Sequence, residues 1–147
     1  MLKRITLAGA ICLAVLPGQP VSAQDCNAAG TVGSAGSAAA GGTSASTLGT
    51  AGSCNTDDGA TSSIASGGSA ATADGKARSR TNTVDNPSKL QTQSKAQAVD
   101  KGTFSKSRTK TTVQSDSLDS TTRTMSHVPG QKPVKSTTNS SVTLPQQ

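Results

Sequence analysis

Tryptophan, tyrosine and glutamate are absent from this 147-residue chain, and Phe104 is its only aromatic residue. With no aromatic side chains interleaved among the cations there is no platform for stacking nucleobases, so nucleic acid is not an expected partner. Large aliphatics are scarce as well. Beyond residue 23 the sequence holds seven Val, four Leu and one Ile, which with Phe104 make up about a tenth of 124 residues. Globular chains carry about twice that share. Burial of a large apolar side chain contributes roughly 1.5–3 kcal/mol, whereas ordering one residue costs roughly 1–2 kcal/mol, so no conventional core is expected.

Long hydrophobic runs are also missing, with one exception. Lys3 and Arg4 precede an apolar stretch from Ile5 to Leu16, then Pro17-Gly18-Gln19-Pro20 and Val21-Ser22-Ala23. This order of basic, apolar and small-residue segments predicts a secretory signal peptide over 1–23, cleaved between Ala23 and Gln24. As a membrane anchor the stretch is too short, since twelve residues at ~1.5 Å rise reach ~18 Å against a ~30 Å hydrocarbon core. Ile11 before Cys12 does not suit lipoprotein processing. The mature chain is expected to have no transmembrane segment and to be exported, to the periplasm or the extracellular space.

What is present is polar and segregated by charge. Residues 24–75 are rich in Gly, Ala and Ser and carry Asp25, Asp57, Asp58 and Asp74 with no Lys or Arg, a net −4. Residues 76–147 hold twelve Lys or Arg against Asp85, Asp100, Asp116 and Asp119, a net +8. The composition predicts an intrinsically disordered, low-complexity protein, with an acidic segment at 24–75 joined to a basic Ser/Thr/Gln-rich disordered tail at 76–147.

Two cysteines remain after cleavage, Cys26 and Cys54, and an even count in an exported chain predicts one disulfide. Metal binding is not expected, because the single histidine, His127, is distant in sequence and two thiolates alone do not make a zinc site.

The acidic segment repeats itself every sixteen residues. Thr31-Val32-Gly33-Ser34-Ala35-Gly36-Ser37-Ala38 aligns with Thr47–Cys54 and with Ser63–Ala70, and Asp58-Gly59 echoes Asp74-Gly75. Such a period fits either a duplicated Gly/Ala/Ser linker without fixed structure or a weak β-turn repeat over 31–78, with Val32, Leu48 and Ile64 superposed inside stacked coils. Ser69-Ala70-Ala71-Thr72-Ala73-Asp74-Gly75 is similar to the short repeats in the heads of trimeric autotransporter adhesins. That resemblance implies an adhesive, stacked β segment; the coiled-coil stalk and membrane β-anchor of that family have no counterpart after Gly75.

In the basic tail, cations recur at alternate positions: Lys76, Arg78 and Arg80, then Lys106, Arg108 and Lys110. In an extended chain they project from one face, with hydroxyls on the other, and such a ribbon suits a polyanion. From Lys89 to Lys101, with Ser88 as cap and Gly102 as stop, the spacing predicts a transient helix.

No scaffold is evident to hold Ser, His and Asp within ~3 Å of one another, so enzymatic activity is not expected. His127 sits in a turn-like stretch, Met125–Gly130. Nor does any motif call for a cofactor. The expected function is that of a small exported, non-enzymatic protein that adsorbs to anionic envelope or extracellular polymers through Lys76, Arg78, Arg80, Lys106, Arg108 and Lys110. The alternative is a structural or adhesive module assembling through stacked Gly/Ser/Ala coils.

Overall fold

The computed structural model describes residues 26–57, 59–86, 88–114 and 116–145. Eight strands follow one another: β1 (Ala28–Ala40), β2 (Thr43–Thr56), β3 (Gly59–Thr72), β4 (Lys76–Asn86), β5 (Lys89–Asp100), β6 (Thr103–Gln114), β7 (Ser117–His127) and β8 (Val134–Thr143). β1-β2-β3 form one sheet and β4-β5-β6-β7-β8 a second, every neighbouring pair being antiparallel and consecutive in sequence. The two sheets pack face to face. The expected disorder is therefore overturned in both halves, including the described residues of the basic stretch.

Counting large aliphatics understated what this chain buries, because most of its interior is hydroxyl. Ser34 Oγ lies 2.6 Å from Ser120 Oγ and 2.8 Å from Thr122 Oγ1 across the sheets. Thr47 Oγ1 likewise meets Ser107 Oγ at 2.6 Å and Thr109 Oγ1 at 2.7 Å. Within the five-stranded sheet Thr109 bonds Thr122 at 2.6 Å and Thr111 bonds Ser120 at 2.9 Å. A hydroxyl both donates and accepts, so a chain of them satisfies itself without water. Threonine suits this layer twice over, since its branched Cβ favours strands and its methyl group fills space between the sheets.

Small side chains let the sheets close. A Cβ at Gly49 would overlap Thr111 Oγ1 and lie 2.7 Å from Thr109 Cγ2, so the approach of β2 to β6 requires glycine there. One end of the interior is apolar: Ala28, Val32, Ala51, Val113, Leu118 and Leu144 are buried together, with Ile64, Leu90 and Val142 packed against them.

The sixteen-residue repeat does not make stacked coils. Val32 faces inward and is 5% exposed, Ile64 packs on the same apolar cluster, but Leu48 points outward and is 51% exposed. The register explains why. Two-residue turns pair even positions with odd ones, as in Val32↔Ala51↔Ile64 and Ala35↔Leu48↔Gly67. Each turn thus swaps which parity faces the core, and an even period cannot keep its aliphatics on one side.

The expected helix over 89–101 is the strand β5. Thr92, Ser94, Ala96 and Ala98 are buried at every second position, a period of two that a helix cannot satisfy. Gly102 ends the element as a hairpin residue, not a helix stop. Lys101 and Gly102 have φ of 45° and 83°, both positive, as a type I′ turn demands.

Cys26 and Cys54 are joined by a disulfide with a Cα–Cα distance of 5.5 Å, compatible with an exported protein. Asn27 N donates to Asn55 O at 2.8 Å beside it, and the Asn27 side-chain amide reaches the Asp57 carboxylate. These contacts pin the start of the described chain onto β2. The proposed cleavage site, Ala23 and Gln24, lies outside the described residues.

Candidate polyanion-binding face

On β6 the alternation Ser105-Lys106-Ser107-Arg108-Thr109-Lys110-Thr111 divides cleanly: the hydroxyls are buried and the cations exposed. Burial of Ser107 against the Gly36 carbonyl at 3.0 Å and of Ser105 against Thr43 at 2.9 Å fixes the strand's orientation. Lys106, Arg108 and Lys110 must then point away from the three-stranded sheet. By the same alternation Lys76, Arg78 and Arg80 on β4 share that outer face.

The register adds cations that sequence reasoning left out. Arg80 pairs with Lys95 on β5, Lys95 with Arg108 on β6, and Arg108 with Arg123 on β7. The four stand side by side across four strands, over ~14 Å at the ~4.8 Å strand spacing. In the next row Gln97 pairs with Lys106, Lys106 with Met125, and Met125 with Lys135 on β8. Together with Lys89 the outer face carries ten cations, while among the described strand residues the only carboxylate sharing it is Asp119. The missed signal was the alternation Gln91-Thr92-Gln93-Ser94-Lys95-Ala96-Gln97-Ala98, obscured by the helix reading of that stretch.

The two rows meet at a groove of about 410 Å3. Lys95, Lys106, Arg108, Arg123 and Lys135 rim it, with Gln97, Met125 and Thr137 between them. At its margin the Lys106 ammonium lies 4.7 Å from the centroid of Phe104, whose ring is 5.2 Å from that of His127. His127 is thus the last residue of β7, packed on an aromatic ring, rather than part of a turn-like stretch.

The outer face of the three-stranded sheet contrasts with this. β1, β2 and β3 contain no charged residue, and their outward positions are Gly, Ala, Ser and Thr apart from Leu48 and Cys54. The switch of charge near Gly75 falls in the connection that carries the chain from one sheet to the other. One face of the molecule is neutral and the opposite face strongly basic.

Among the described residues no group of three or more His, Cys, Asp or Glu is placed to hold a metal, and no helix is long and apolar enough to cross a membrane. Comparison with protein-family models, with curated proteins and with solved structures gives no match to this chain.

Proposed function

We propose that the protein is an exported, non-enzymatic binding module whose basic sheet face adsorbs to anionic polymers in the periplasm or outside the cell. The observation that carries this reading is the row Lys95, Arg108 and Arg123 on neighbouring strands. Like charges directly opposite one another in a sheet are destabilising, on the scale of roughly 0.2–1 kcal/mol per pair. On the edge strand β4, cations have a bland purpose, since charge there discourages pairing with another chain. β5, β6 and β7 are interior to their sheet and need no such protection. A cost accepted at positions that stability would fill otherwise is the usual mark of a binding surface.

A flat array of cations recognises density of charge more than sequence or shape, which suits a repeating polyanion. Attraction of this kind is screened beyond ~10 Å at 0.1 M salt and beyond ~3 Å at 1 M. Fractionation with a salt wash tests it. The protein is expected to sediment with envelope material at low ionic strength and to be released at high ionic strength. Recovery of the protein free at low salt, or its retention at high salt, counts against adsorption through this face.

A further inference from the structure

The second row of the basic face does not simply continue the first. Lys106 and Lys135 alternate there with Gln97 and Met125, and all four line one depression with Lys95, Arg108 and Arg123. We propose that this groove is a discrete subsite for a compact unit bearing two or more phosphate groups, such as a bisphosphorylated sugar. The proposal rests on the polyanion reading above and narrows it to one place and one ligand chemistry.

Charge and size both favour that class. Five cations rim the groove. With strands ~4.8 Å apart and alternate residues ~6.8 Å apart, they fall within a footprint of ~14 by ~7 Å. Each phosphate monoester carries a charge of about −1.5 to −2, so two of them come close to matching this cluster within a single sugar-sized unit. A sugar with one carboxylate leaves most of the cluster unmatched. A volume of about 410 Å3 is at the lower end of small-molecule sites, which run from roughly 300 to 1,000 Å3.

The kinds of cation are also suited to phosphate. Arg108 and Arg123 are directly paired, and adjacent guanidinium groups offer two planar forks for bidentate contacts with phosphate oxygens. Lys95, Lys106 and Lys135 supply point charges around them. Met125 gives an apolar surface for the face of a sugar ring, and the ring of Phe104 holds the Lys106 ammonium at the margin. The other cations of the face, including Lys76, Arg78 and Arg80, lie outside the groove and provide an internal control.

The test compares two variants that lose the same charge: Lys106→Gln/Arg123→Gln/Lys135→Gln in the groove and Lys76→Gln/Arg78→Gln/Arg80→Gln on the edge strand. Each is titrated calorimetrically with fructose 1,6-bisphosphate, glucose 6-phosphate and soluble polyphosphate. Wild-type protein is expected to bind one bisphosphate per chain, roughly tenfold more tightly than the monophosphate. The groove variant is expected to lose roughly tenfold or more for the bisphosphate, and the edge variant less than about threefold, while both weaken polyphosphate. Equal losses in the two variants, or several equivalent bisphosphate sites on the wild-type chain, overturn the subsite and leave the broader reading standing. The wild-type stoichiometry does not depend on either variant folding. Failure of wild-type protein to bind polyphosphate at low salt sinks the broader reading itself. Vesicles carrying a bisphosphorylated glycolipid distinguish the source: groove-dependent binding to them identifies a lipid headgroup, and groove-dependent binding to soluble polyphosphate alone identifies a polymer.

Discussion

Arg108 on β6 and Arg123 on β7 occupy facing positions of neighbouring antiparallel strands, two like charges paired by the register. Their opposition separates stability from binding. Arg123→Glu converts a repulsive pair into an attractive one and is expected to raise stability by roughly 0.2–1 kcal/mol while weakening polyphosphate binding. Urea unfolding and a binding titration on the same variant check it; a variant that is both less stable and unimpaired in binding contradicts the role given to this row.

The hydroxyl layer makes an unusual prediction about apolar substitution. Thr109 bonds both Thr47 and Thr122, and all three are buried. Thr109→Val keeps the shape but removes one of two hydroxyl partners from Thr47, which retains Ser107, and from Thr122, which retains Ser34. At roughly 0.5–1.5 kcal/mol for each lost bond, it is expected to destabilise despite being more hydrophobic. Thermal unfolding measures this, and a neutral or stabilising effect would show that the layer is held by shape alone.

The disulfide closes a loop spanning 28 positions between Cys26 and Cys54. On the chain-entropy model its loss removes roughly 3.5 kcal/mol of stability. Denaturant midpoints with and without a reductant, and for Cys26→Ser/Cys54→Ser, are expected to fall together.

Lys101 holds a left-handed conformation, φ 45°, that asparagine tolerates better in a type I′ turn. Lys101→Asn is expected to stabilise the β5–β6 hairpin by about 0.5–1 kcal/mol, read as a rise in Tm. Because Lys101 lies in a turn, polyphosphate binding should change little.

The candidate site was half legible. Lys106, Arg108 and Lys110 announced a shared face by their spacing, because a strand's side chains alternate whatever the strand packs against. Arg123 and Lys135 gave no such signal, for each is a single cation on its own strand, and the alternation around Lys95 was hidden by reading that stretch as a helix. They become neighbours only through the register, which the turns set.

Val32 and Ile64 were expected inside and are there, but the hydroxyl layer was not legible, and the reason is physical. A serine or threonine in isolation is best satisfied by water, so a count of residues scores it as solvated. Ser34 and Ser120 satisfy one another from 86 positions apart, and Thr47 and Ser107 from 60. Such partners exist only once two sheets are stacked.

The sequence by itself determined the cysteine pair, the division of charge near Gly75 and the alternation of hydroxyl with cation on β6. The tertiary structure decided which hydroxyls are buried, which strands stand beside one another and therefore where ten cations converge. A local pattern fixes the side of a strand on which a residue projects. Only the pairing of distant strands fixes what it meets there.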